Sequence, residues 1–151
     1  MHICTFFGHS NTPQNIRNIL KETVERLITE KDIDMFYIGN QGNFDSLAKN
    51  VLDELSEKYA HIRYNIVLAY RPTNTESEQA FDFSHTIYPE EVAASHPRYA
   101  ILKRNRWMIE HSDYVISYIT HDFGGAAKAI DLCRKKNKKI INVANTRHSN
   151  S

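Results

Sequence analysis

The sequence carries almost no net charge: 19 Lys and Arg offset 18 Asp and Glu, leaving a formal +1. A chain so balanced has no overall field to draw it toward nucleic acid or an anionic membrane, so neither is an expected partner. It has no apolar run near the roughly 20 residues needed to span a bilayer. Residues 1–8 lack the basic start and long apolar stretch of a secretory signal, which makes the cytoplasm the expected location. Cysteine is scarce. Cys4 and Cys133 lie far apart inside apolar segments, a spacing that fits no metal or redox motif and predicts buried thiols in a reducing compartment. The HExxH, GxSxG, CxxC and EF-hand patterns are also missing, which removes the usual signatures of zinc, serine-hydrolase, thiol-redox and calcium chemistry.

What is present is an alternation of short β-type runs with longer helical periods. Ile3 to Phe7 reads as a strand ending at Gly8, and Ile16, Ile19, Leu20, Val24, Leu27 and Ile28 then recur at helical spacing after Pro13. Met35 to Ile38 is a second strand, followed by a helical stripe of Phe44, Leu47, Ala48, Val51, Leu52 and Leu55. Ile62 to Ala69 is a third strand. Tyr99, Leu102 and Ile109 mark a helix, Tyr114 to Ile119 a fourth strand, Gly125 to Lys136 a shorter helix, and Ile140 to Val143 a fifth strand. Such alternation means βαβ units and a parallel sheet covered on both faces, within a single domain over 1–151. The basic run Arg134, Lys135, Lys136, Lys138 and Lys139 sits where a helix ends, and cations there complement its dipole. Residues 70–97 are polar and without period, which reads as a lid-like insertion or, more plainly, a surface excursion.

Ligands of open parallel sheets bind beyond the carboxyl ends of the strands, where loops lead into helix N-termini. After the first strand come Gly8, His9, Ser10 and Asn11. Gly8 allows close backbone approach, His9 can bond a phosphate or a base, and Ser10 or Asn11 serves as helix cap or ligand contact. After the second come Gly39, Asn40, Gln41, Gly42, Asn43, Phe44 and Asp45, amides and glycines suited to phosphate or ribose. This loop is not a Walker A sequence, and it lacks the third glycine of a dinucleotide fingerprint. After the fourth come His121, Asp122, Phe123, Gly124 and Gly125, then small residues that leave backbone N–H groups open to an anion. Arg98 and Arg104 supply cations, and Tyr70 or Phe123 can stack on a base. His9 and His121 approach the same sheet edge, yet no third ligand completes a metal site.

These motifs, from Phe6-Phe7-Gly8-His9 through the Asn40 loop, Arg104-Asn105-Arg106-Trp107-Met108 and Ser112-Asp113 to Gly124-Gly125-Ala126, resemble the SLOG superfamily along nearly the whole chain. They look closest to its small YpsA-like branch. The resemblance implies a Rossmann-like three-layer α/β sandwich with a five-stranded parallel sheet ordered 3-2-1-4-5. It also implies a nucleotide or NAD-derived ligand between strands one and four, as in relatives that include phosphoribohydrolases, NAD-signal sensors and DNA-processing proteins. The hydrolases carry Gly-Thr and a glutamate by the glycine loop. Here Gly124-Gly125-Ala126-Ala127-Lys128 has neither, leaving only Asp45 and Asp122 as candidate acids. The chain therefore reads as a binding module without a resident cofactor, with an N-glycosidase or nucleoside transferase as the alternative. Its 8 tyrosines and 7 phenylalanines exceed what one small core needs, so a homodimer or higher homo-oligomer is expected.

Overall fold

The computed structural model describes residues 2–71 and 85–146. The middle of the expected lid, 72–84, lies outside the described residues. Six strands form one sheet: β1 (Ile3–Gly8), β2 (Met35–Ile38), β3 (Arg63–Val67), β4 (Thr86–Ile87), β5 (Tyr114–Tyr118) and β6 (Lys139–Asn142). Their order is β4-β3-β2-β1-β5-β6, and every pairing is parallel. The helices are α1 (Arg17–Glu30), α2 (Asn43–Lys58), α3 (Glu90–Ala93), α4 (Ala100–Glu110), α5 (Gly125–Lys135) and α6 (Val143–Thr146), with 3-10 turns at Gln14–Ile16 and Pro97–Tyr99.

The sheet is Rossmann-like, and five of its strands follow the expected 3-2-1-4-5 order. The expected count of five is corrected to six. The extra strand, Thr86–Ile87, pairs with Ile66 and Val67 at the edge of β3. Two residues are too few to display the period of two by which a strand is read from sequence, so β4 was hidden inside the aperiodic stretch.

Alternation along each strand sends side chains to two covered faces. Cys4 and Phe6 of β1 and Ile116 of β5 pack with Leu20, Val24, Leu27, Leu52 and Leu55 of α1 and α2. Phe7 and Val115 point the other way, into a second core with Met108, Ile109, Ile130 and Cys133 of α4 and α5. Both cysteines are buried and free. Burial pushes the Cys133 thiol up to about 12 and the Cys4 thiol higher still, so neither ionises near neutrality.

Helix α4 departs from its sequence reading. Tyr99, in the turn before it, is 50% exposed and Leu102 is 53% exposed, whereas Ala100, Arg104, Met108 and Ile109 face inward. A buried arginine replaces the aliphatic residue that a periodicity count looks for, and the stripe is misplaced around the helix. Among the described residues, no helix is long and apolar enough to cross a membrane.

Candidate functional site

Strand order reverses between β1 and β5, where the chain crosses from the far edge of the sheet back to its centre. Gly8 ends β1. A Cβ there would overlap the Phe44 ring and come within 2.7 Å of the Phe44 Cβ, so only glycine lets the first turn of α2 lie on the strand end. The following turn is tied down by the His9 N–H, which donates to Tyr118 O at 3.3 Å, and by Thr12, whose Oγ1 donates to His9 O at 2.5 Å.

The β2–α2 loop closes against this turn. Gly42 has a φ of 90°, and a Cβ on it would sit 2.7 Å from Ser10 Cα. The Asn43 N–H donates to Ser10 O at 2.9 Å. Just upstream, a Cβ on Gly39 would fall 2.8 Å from both Arg104 Nη1 and Asp45 Oδ2. The bare α-carbon of Gly39 is thus the floor over which a guanidinium and a carboxylate converge. Asp45 is three residues past the Gly42 cap and accepts the Gln41 N–H at 2.8 Å, much as an acidic side chain in a capping box reaches back. Burial pushes its carboxyl up to about 6 despite that bond and the nearby Arg104 charge. Arg104, only 4% exposed, donates to Val67 O at 3.3 Å and Asn105 Oδ1 at 2.9 Å. Its burial lowers the guanidinium's proton affinity, and Asp45 and Tyr70 oppose that.

On the opposite wall, His9 and His121 stack with centroids 3.6 Å apart and planes 5° from parallel. Phe123 stacks on His121 at 4.0 Å and 30°. Two rings cannot share one face of an imidazole at such distances, so His121 is the middle of a three-ring column. His9 Nε2 accepts the Thr120 N–H at 3.1 Å, which requires that nitrogen to be unprotonated. Burial, and then His121, lower the His9 pKa accordingly.

Helix α5 begins beside the column. Its cap residue Gly124 has a φ of 95° and no side chain bonds the first-turn N–H groups. A Cβ at either Gly124 or Gly125 would meet nothing within 4 Å. The glycines at 8, 39 and 42 are filled against by protein, whereas this pair faces open space.

These walls enclose a cleft of about 550 Å³, within the usual range for a small-molecule site. Of the expected site residues, Gly8, His9, Asp45, Arg104, His121, Phe123, Gly124 and Gly125 line it. Four others do not line it. Asn40 is exposed and bonded to Gln41, Gly42 supports Ser10, Tyr70 donates to Pro97 O at 3.1 Å, and Arg98 lies 5.9 Å above the Tyr99 ring. Asp122 is exposed at the surface and also outside the lining. Gly39 and Gln41 of the loop suited to phosphate or ribose also line it, and Ile101 joins them unforeseen. Among the described residues no group of three or more His, Cys, Asp or Glu is placed to hold a metal ion.

A family model described as the YspA SLOG family matches residues 1–144. Among solved structures, the chain is similar to DNA processing protein A (DprA) from Streptococcus pneumoniae, with a TM-score of 0.65 at 10% identity. The match covers 91% of this chain and 48% of that one, so the chain spans about half the length of DprA. At that identity the likeness is one of fold. No curated protein matches the sequence.

Proposed function

Because the chain belongs to the YspA SLOG family, we propose that its cleft binds a phosphate-bearing nucleotide or NAD-derived small molecule, as a sensor or a sink. The observation that carries this reading is the uncovered backbone of Gly124 and Gly125 at an uncapped helix start inside the cleft. The first N–H groups of a helix have no intrahelical partner, and the positive end of the dipole favours an anion there. No φ constraint and no packing contact explains glycine at 125. Close approach of a ligand does.

The opposite wall supplies acceptor and donor together. Asp45 can accept from a ribose hydroxyl, while Arg104, anchored through Nε and Nη1, balances the Asp45 charge. A ligand held this way needs nothing from Asn40, Tyr70 or Arg98.

A second reading, hydrolysis of an N-glycosidic bond, is favoured by one observation. Asp45, with a pKa of about 6, retains a proton closer to neutrality than an ordinary carboxyl. In that reaction the bond from C1′ to the base nitrogen breaks, Asp45 gives its proton to the leaving base, water bonds to C1′, and the proton that water loses returns to Asp45.

The test is native mass spectrometry of gently purified protein, then thermal unfolding with AMP, ADP-ribose, NAD and cyclic nucleotides. A true ligand at 100 times its Kd stabilises by about 2.7 kcal/mol, a shift of several degrees for a domain this size. A flat panel with no co-purified ligand would sink the nucleotide reading. Release of free base from AMP that is lost in Asp45→Asn would favour the second reading over simple binding.

A further inference from the structure

The three-ring column has one end buried and one end bare. His9 is 7% exposed and fixed by the Thr120 N–H, whereas Phe123 is 67% exposed although it lines the cleft. One face of the Phe123 ring is covered by His121 at 4.0 Å, which leaves the other for an occupant. A large aromatic ring held open to water by two stacked imidazoles gains nothing for the core. It presents a flat, oriented, apolar surface beside a polar site.

We propose that Phe123 is the platform on which the base of the bound nucleotide stacks, the fourth ring of a column built on His9 and His121. This rests on the nucleotide reading and adds what that reading leaves open, namely which residue recognises the base and where it lies. Sequence proximity sets the geometry. Phe123 directly precedes Gly124 and Gly125, and two residues span at most roughly 7 Å of extended chain. A phosphate on the first amides of α5 and a base on Phe123 are therefore separated by about the reach of one ribose, whose hydroxyls turn toward Asp45. Stacking on an aromatic side chain tolerates any base, because each has a π-face. Phe123 accordingly distinguishes nucleotides from phosphate esters that lack a base.

The experiment compares AMP with ribose 5-phosphate by calorimetry on wild type and on Phe123→Ala, Phe123→Leu and Phe123→Trp. The side chain is exposed, so all four chains should unfold at similar temperatures. Wild type should prefer AMP by about 5- to 150-fold, the range for one base stacked on one aromatic ring. Ala and Leu should lose that preference without changing ribose 5-phosphate affinity, and Trp should keep it. Equal affinity of wild type for the two compounds, or an AMP preference that survives Phe123→Leu, overturns the platform while leaving the nucleotide reading intact. Failure of both compounds to bind wild type overturns both. A change in oligomeric state with Phe123→Ala and none in AMP affinity assigns the exposed ring to self-association and likewise overturns the platform.

Discussion

The imidazoles of His9 and His121 lie face to face at 3.6 Å, and His9 holds the Thr120 amide through an unprotonated Nε2. Protonation of His9 would turn that acceptor into a donor aimed at a donor. It would also place a cation against the neighbouring ring.

A pH dependence with a definite sign follows. The His9 pKa is lowered in the fold from 6.5, so the unfolded chain takes up a proton more readily. The stability contributed by neutral His9 is full above pH 6.5 and is lost as pH falls below it. In urea unfolding across this range, the stability advantage of wild type over His9→Gln should shrink on the acid side. An advantage that grows with acid would refute the assignment.

Asp45 titrates with the opposite sign. Its folded pKa of about 6 exceeds the ordinary 3.8, so the fold prefers the protonated carboxyl. Its contribution is complete below pH 3.8 and is lost as pH rises through about 6. The unfolding free energy of wild type minus that of Asp45→Asn should fall over this interval, and a flat difference would show a solvated carboxylate instead.

Arg104 holds the fold through its buried bonds. Arg104→Ala removes the charge opposite Asp45 and leaves Val67 O without that donor, for a loss of about 3 kcal/mol. Adding Asp45→Asn should recover part of it, and a double-mutant cycle reads the coupling directly. Strict additivity would mean that the two groups do not interact.

The two ends of the glycine series should behave differently. Gly8→Ala forces the Phe44 ring aside and should cost about 1–3 kcal/mol. Gly125→Ala meets no atom and should leave thermal stability unchanged or raise it by up to about 1 kcal/mol, while weakening the nucleotide that shifts the wild-type melt. Unaltered affinity in Gly125→Ala would place the phosphate elsewhere.

Much of this fold is legible in the sequence. Apolar runs such as Met35 to Ile38 and the stripe from Phe44 to Leu55 fix strands and helices because burial must follow periods of two and 3.6. The sheet order and the meeting of Gly8-His9 with Gly124-Gly125 follow from the family resemblance and the rule of the switch point. Three things were not legible. Strand β4 is two residues long and leaves no pattern. Arg104 is buried where a periodicity count looks for an aliphatic side chain, and its bonds to Val67 and Asn105 leave no trace in the sequence. Glycines look alike in sequence, although Gly42 answers to Ser10, Gly39 to the Arg104 and Asp45 side chains, and Gly125 to an opening. Only the neighbours of the missing Cβ separate them.

Among the described residues, those lining the cleft come from two blocks of chain, 6–45 and 101–126. The intervening third of the sequence supplies β3, β4 and most of α2, and none of its described residues lines the cleft. Selection on the ligand and selection on the scaffold therefore act on different stretches of the gene. A relative whose changes cluster in 46–71 or 85–100 should answer to the same molecule, and one that has drifted in the two lining blocks should keep the architecture and serve another.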